Sequence, residues 1–94
     1  MYRNIIDKQL EEICLGIKEC GDMETVLKFL REIFTRPELE DLALRWRLLK
    51  MLHNGIPQRK IASELGISLC KITRGAKLVR DSKSVVNSLI RKYI

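Results

Sequence analysis

Histidine occurs once in the chain, as His53, and proline only twice. With a single imidazole and scattered acids, neither a Ser-His-Asp nor a Cys-His-Asn set can be assembled. The three cysteines, Cys14, Cys20 and Cys70, form no CxxC pair and stand far from His53 in sequence, so the spacing of a metal site is missing as well. Neither a catalytic centre nor a metal centre is expected. An odd number of unpatterned thiols fits a reducing compartment, where each cysteine packs as a small buried hydrophobe; Cys70 is the partial exception, for a reason given below. No apolar run approaches the roughly 20 residues of a membrane span. No signal-peptide pattern opens the chain, so a cytoplasmic protein is expected. Alternating strand patterns are absent and β-branched runs are few, which leaves an all-helical reading.

Length allows one domain, and start and stop signals mark six helices in its 94 residues. The first runs from about Arg3 to Glu19, with Ile6, Leu10, Ile13 and Ile17 on one stripe, and closes at Cys20-Gly21. Asp22 caps a second helix carrying Val26, Leu27, Leu30 and Ile33 to about Phe34. Thr35 starts a third, with Pro37 in its first turn and Glu38 placed three residues on as a capping box. This helix ends near His53 at Asn54-Gly55, a pair suited to a left-handed cap. The sixth is predicted to open at Asp81 or Ser82, with Val85, Val86, Leu89, Ile90 and Tyr93 on its apolar side.

Between them, Gln58 to Lys77 reads as two short helices joined by a tight turn. Ile61 and Leu65 lie four apart on one face. Ala62 is small where two helices cross, and Gly66 follows the first helix, where a residue without a Cβ is wanted. Ile67 returns the chain to the core and Ser68 caps the second helix. On that helix Leu69, Ile72 and Ala76 recur at helical steps, which leaves Cys70, Lys71, Thr73, Arg74 and Lys77 off the packed stripe. Such a helix can enter a major groove. The competing reading is an ordinary helical hairpin with a solvated basic face.

Charge separates the two. Residues 45–94 hold twelve Lys or Arg against two acids, Glu64 and Asp81, whereas residues 1–44 hold six against ten. The halves therefore carry about +10 and −4, which the overall +6 conceals. A half so basic attracts a phosphate backbone and loses affinity steeply as salt rises. Neither basic helix combines a broad apolar face with the Trp or Phe anchors of an interfacial helix, so no membrane partner is expected.

Nine of the fourteen residues from Leu39 to Leu52 are apolar and spread over more than one face. The pattern predicts a helix buried nearly all round. A short chain of short helices has difficulty surrounding such a rod, so a second copy is expected to supply the missing cover. A two-fold dimer also sets two reading helices about one DNA turn apart.

The string LALRWRLLKMLHNGIPQRKIASELGISLCKITRGAK resembles the tryptophan repressor family, with a match spanning roughly Phe34 to Lys77. Its most specific parts are the paired arginines of Arg45-Trp46-Arg47, the Gln58-Arg59 pair, and Ile72-Thr73-Arg74-Gly75 closing the hairpin. The earlier helices match in placement and length more than in letters, and the last by pattern only. The resemblance implies an all-α, six-helix subunit with a helix-turn-helix, intertwined as a homodimer. Residues 1–55 would form the dimerisation core, 56–78 the helix-turn-helix, and 79–94 a C-terminal helix completing the core of a single domain, 1–94.

It also implies a repressor that takes L-tryptophan as a non-covalent corepressor, without metal, and then grips a palindromic operator in double-stranded DNA. Carried over by residue, Arg45 and Arg74 would sandwich the indole ring, and Arg74 would also meet the carboxylate. Gly75 would leave room beside the ligand, Leu78 would stand near its carboxylate, and the backbone at Phe34 and Thr35 would receive its ammonium group. The residues themselves also allow an Arg45 salt bridge to Asp41 and a plain phosphate contact for Arg74. For DNA the matching positions are Gln58, Arg59, Leu69, Cys70, Lys71 and Thr73, with Lys77 on the same exposed side.

Three departures qualify the resemblance. Trp46 is bulky where relatives often place a smaller aliphatic residue, and it either joins the core or narrows the ligand cavity. Leu78 replaces a small polar residue. The Gly55-Ile56-Pro57 turn is one residue shorter. These leave open a relative that senses a different small ligand or none, and, from another class, a dimeric interaction module whose basic half meets an acidic protein.

Overall fold

The computed structural model describes all residues, 1–94, as six α-helices and a terminal 3-10 turn, with no strand. The helices are α1 (Tyr2–Cys20), α2 (Met23–Ile33), α3 (Arg36–His53), α4 (Gln58–Leu65), α5 (Leu69–Arg80) and α6 (Val85–Ile90), followed by the turn Arg91–Tyr93. The chain divides into two compact units, Met1–Leu39 and Glu40–Ile94.

The first unit holds α1, α2 and the first turn of α3. Asp22 caps α2 as expected, its carboxylate accepting the Thr25 N–H at 2.7 Å. The capping box forms too: the Thr35 N–H donates to Glu38 Oε1 at 2.8 Å and the Glu38 N–H donates to Thr35 Oγ1 at 3.3 Å. These bonds favour the charged carboxylates. The Thr25 hydroxyl and N–H hold Asp22 below its ordinary pKa, and the Thr35 N–H, then its hydroxyl, do so for Glu38. A depressed pKa contributes stability that is present at neutral pH and lost as pH falls through the carboxylate range. Thermal melts from pH 7 to pH 3 are expected to show a falling midpoint in the wild type and a shallower fall in Glu38→Gln.

Neither α1 nor α2 contains a fully buried residue. Ile13 and Ile17 are half-buried, but Ile6 and Leu10 on the same stripe stay 39% and 53% exposed. Cys14 is exposed and Cys20 half-buried, its thiol donating to the Gly16 carbonyl. The expectation of a buried Cys14 is therefore corrected: no residue of α1 is buried within one chain, and Leu10, one turn before it, is exposed as well.

The second unit carries the core. Leu48, Met51, Ile61 and Ile72 are buried together, with Leu52, Ile56, Ala62, Leu65 and Ile67 packed around them. The turn after α3 closes as a Schellman motif, the Gly55 N–H bonding Leu52 O and the Ile56 N–H bonding Met51 O. Gly66 stands at φ +63° after α4, a conformation that penalises any Cβ, and its N–H bonds Ala62 O at 2.9 Å. Ser68 Oγ then accepts the Lys71 N–H to start α5. The hairpin predicted from Gln58 to Lys77 is present, with α5 running on to Arg80.

Two expectations change. In α3 only Leu48, Leu49 and Met51 are buried, while Leu42 is 45% exposed, so a single chain does not surround the helix. The sixth helix starts at Val85 instead of Asp81 or Ser82, because Asp81 is spent on a turn: its carboxylate accepts the Lys83 N–H and its carbonyl the Ser84 N–H. Ser84 becomes the cap, accepting the Asn87 N–H. Ile90 is fully buried and Val86 half-buried, whereas Val85 and Leu89 are exposed. Asn87, itself buried, ties α6 to the end of α5 by donating from Nδ2 to the carbonyls of Val79 and Asp81, while its Oδ1 has no partner.

Candidate functional site

Helical spacing lines up Lys71, Arg74, Gly75 and Leu78 at steps of three and four, which places them on one stripe of α5. On α3 the same rule groups Arg45, Leu48 and Leu49. The two stripes meet around one cavity of about 380 Å³, lined by Arg45, Leu48, Leu49, Lys71, Arg74, Gly75 and Leu78. Its size lies at the lower end of the range for small-molecule sites, roughly 300–1,000 Å³. The chemistry is simple: three leucines and a glycine with three cationic residues, and no acidic side chain in the lining.

Gly75 has two neighbours to satisfy. A Cβ added there would sit 3.1 Å from Leu52 Cδ1, 3.4 Å from Leu48 Cδ2 and 3.5 Å from Leu49 Cδ2. The first distance is tighter than an ordinary carbon contact, so the mid-helix glycine, at a cost of about 1 kcal/mol in helix propensity, makes way for the leucines of α3. It borders the cavity as well.

Trp46 does not narrow this space. Its ring meets Tyr93 edge to face, centroids 5.6 Å apart at 66°, and it is absent from the cavity lining. Such a pair adds roughly 0.5–1.5 kcal/mol beyond area burial and secures the terminal turn. Leu78 does line the cavity, contributing a hydrocarbon surface.

Of the residues the resemblance assigns to ligand, the structure thus brings together Arg45, Arg74, Gly75 and Leu78. Phe34 and Thr35 belong to the first unit, where Phe34 lines a separate cavity with Arg31, Arg36 and Leu39. Phe34 ends α2 with its N–H bonded to Leu30 O, and the Thr35 N–H is taken by Glu38. The sequence reading missed Leu48, Leu49 and Lys71 as cavity residues. The spacing contained the signal, since Leu48 and Leu49 are three and four residues past Arg45, and Lys71 is three before Arg74.

The residues assigned to DNA are all exposed: Gln58 and Arg59 open α4, and Leu69, Cys70, Lys71, Thr73 and Lys77 lie along α5. Leu69, which its spacing put on the packed stripe with Ile72 and Ala76, is instead 57% exposed, as the first residue of α5. Thr73 Oγ1 donates to Leu69 O at 2.9 Å, which orients the hydroxyl and leaves its lone pairs outward. Pro57 gives α4 no side-chain cap, so the first N–H groups of that helix remain open.

A tight turn with a left-handed glycine, an exposed basic face on α5 and a cavity lined by two arginines occur together in the second unit. The family model described as Trp repressor protein matches residues 8–93. The chain belongs to the Trp repressor family. Among its relatives, the Trp operon repressor homolog of Xylella fastidiosa (strain M23) is 40% identical over 95 residues, covering 100% of this chain and 98% of that protein. The Trp operon repressor homolog of Chlamydia trachomatis serovar L2 is 32% identical, covering 80% of this chain and 84% of its own length. The protein YerC of Bacillus subtilis, described as uncharacterized, is 31% identical over 71% of this chain. The all-α architecture is that of the Trp repressor fold, and the family places the chain among transcriptional repressors. No helix is long and apolar enough to cross a membrane, and no group of His, Cys, Asp or Glu is placed to hold a metal ion.

Proposed function

We propose that this Trp repressor family member is an L-tryptophan-responsive repressor that binds a palindromic operator as a homodimer. The observation that carries the reading is the pair Arg45 and Arg74, on separate helices yet both lining one apolar-floored cavity. Two guanidinium planes suit the faces of an indole, and Arg74 suits a carboxylate. The contact that the resemblance gives the backbone at Phe34 and Thr35 with the ammonium group belongs to the proposed dimer, in which the pocket is shared between two copies. Ligand and DNA act through one population shift: the ligand favours the hairpin arrangement that also fits the groove, so each raises affinity for the other.

Dimerisation is supported by what one chain leaves uncovered. A helix pair without a buried residue and the exposed Leu42 of α3 are apolar surfaces that ask for a second copy. DNA binding is supported by the exposed basic face of α5 and the uncapped start of α4, where backbone N–H groups meet a phosphate well. Gln58, Arg59 and Lys77 are assigned to backbone contacts, and Leu69, Cys70, Lys71 and Thr73 to the groove.

Calorimetric titration with L-tryptophan tests the reading. Saturable binding heat and a gain in operator affinity are expected; no heat and no gain at millimolar ligand would sink it. One observation favours a second reading, a regulator of the same fold that senses another small molecule or none: Leu78 gives the lining a hydrocarbon where a polar contact to an amino acid's carboxylate would be useful. A thermal-shift panel of amino acids and indoles separates the two.

A further inference from the structure

The cavity behind the reading helix has a third cation. Arg45 and Arg74 account for an aromatic ring and one carboxylate contact, but Lys71 lines the same space. No acid faces these three groups from the lining, and the remaining residues, Leu48, Leu49, Gly75 and Leu78, offer no side-chain polar atom. Lys71 lies in the first turn of α5, its backbone N–H bonded to Ser68 Oγ at 3.4 Å, one turn before Arg74 on the same stripe. Three cationic residues and no acid in one lining suit an anionic ligand.

We propose that Lys71 is a ligand-specificity residue, its ammonium sharing with Arg74 the carboxylate of an aromatic acid held in this cavity. The inference rests on the ligand-binding reading of the site and refines it by making the carboxylate, more than the ring alone, what the site selects. It gives Lys71 a role beyond the reading face. Lysine is a point charge on a flexible stem, so it reaches a carboxylate from the cavity rim where Leu78 supplies no hydrogen bond.

The test compares wild type with Lys71→Met, which keeps the stem and removes the charge, and Lys71→Arg, which restores a cation. Affinities for L-tryptophan and for indole, which has no carboxylate, are measured by calorimetry without DNA, with thermal melts verifying the fold. Lys71→Met is expected to bind L-tryptophan about tenfold more weakly, on the scale of one hydrogen bond to a charged group, and indole within about twofold of wild type. Lys71→Arg is expected to recover most of the loss. Unchanged L-tryptophan affinity in Lys71→Met, or equal losses for L-tryptophan and indole, would overturn the proposal. Should wild type bind no L-tryptophan, the tryptophan reading fails alone if indole-3-propionate or phenylpyruvate binds in a Lys71-dependent way. If neither acid binds, or binding ignores Lys71, this inference fails too.

Discussion

Replacing Arg74 with alanine is expected to cost about 30-fold or more in L-tryptophan affinity while lowering non-specific DNA binding less than about tenfold. Two contributions leave together. The charge-assisted hydrogen bond to the ligand's carboxylate is worth roughly 1.5–3 kcal/mol, and a cation over an aromatic face about 0.5–2 kcal/mol. At about 1.4 kcal/mol per factor of ten, even the low end of their sum exceeds a tenfold loss. Arg74 is exposed, so the low end applies. DNA sees a smaller change, since the variant loses one cation from a half that carries twelve Lys or Arg. The salt slope falls by about 0.9 for each phosphate contact removed, or not at all if Arg74 never touches DNA. Calorimetry and salt-dependent fluorescence anisotropy give the two numbers. Equal losses in both would identify Arg74 as a phosphate contact and remove the main support for a ligand between Arg45 and Arg74.

Local features of this fold were legible because they obey local rules. Asp22, Thr35 with Glu38, Gly66 and Ser68 cap the helices expected of them, since the side-chain oxygens of Asp22, Glu38 and Ser68 each accept a backbone N–H three residues away and the Gly66 N–H donates to the Ala62 carbonyl four residues back. The start of the sixth helix was misplaced for a related reason. Asp81, Ser82 and Ser84 are all good caps, and the choice among them falls to Asn87, whose buried amide holds the carbonyls of Val79 and Asp81 and fixes the chain path. That constraint joins residues up to eight apart and has no single-position signature. Trp46 is similar: its partner Tyr93 lies near the other end of the second unit, so adjacency in sequence to the pocket arginine said nothing about adjacency in space. Gly75 was legible as a position needing a close neighbour, but the leucine side chains that meet it were not. The cavity was half legible. Its arginines came from the resemblance, whereas Lys71 was read as a groove contact from its matching position on α5, although its place three residues before Arg74 already put it on the stripe that lines the cavity.

With L-tryptophan saturating, a palindromic operator is expected to bind on the order of 10³-fold tighter than a scrambled duplex at about 0.2 M salt, and withdrawing the ligand is expected to cost about 5- to 150-fold of operator affinity, the usual span of allosteric coupling. The ratio matters more than either affinity. A C-terminal half of about +10 is expected to attract any duplex at low salt, so tight binding alone would not distinguish a repressor from a basic module made for an acidic protein. Equal affinity for palindrome and scramble would favour that module. The dimer adds a geometric control. If two copies of α5 read successive major grooves, the half-sites must lie about one helical turn apart. Inserting roughly half a turn, about five base pairs, swings one half-site to the opposite face of the duplex and is expected to remove most of the specific gain while leaving every phosphate and every half-site sequence in place. Loss of the gain in the spaced operator, together with its retention after a full-turn insertion of about ten base pairs, would mean that two subunits reach across the duplex with enough compliance to tolerate distance but not rotation. Loss in both would indicate a rigid pair whose reading helices are held at one separation, as expected if a second copy covers the exposed apolar residues of α1, α2 and α3.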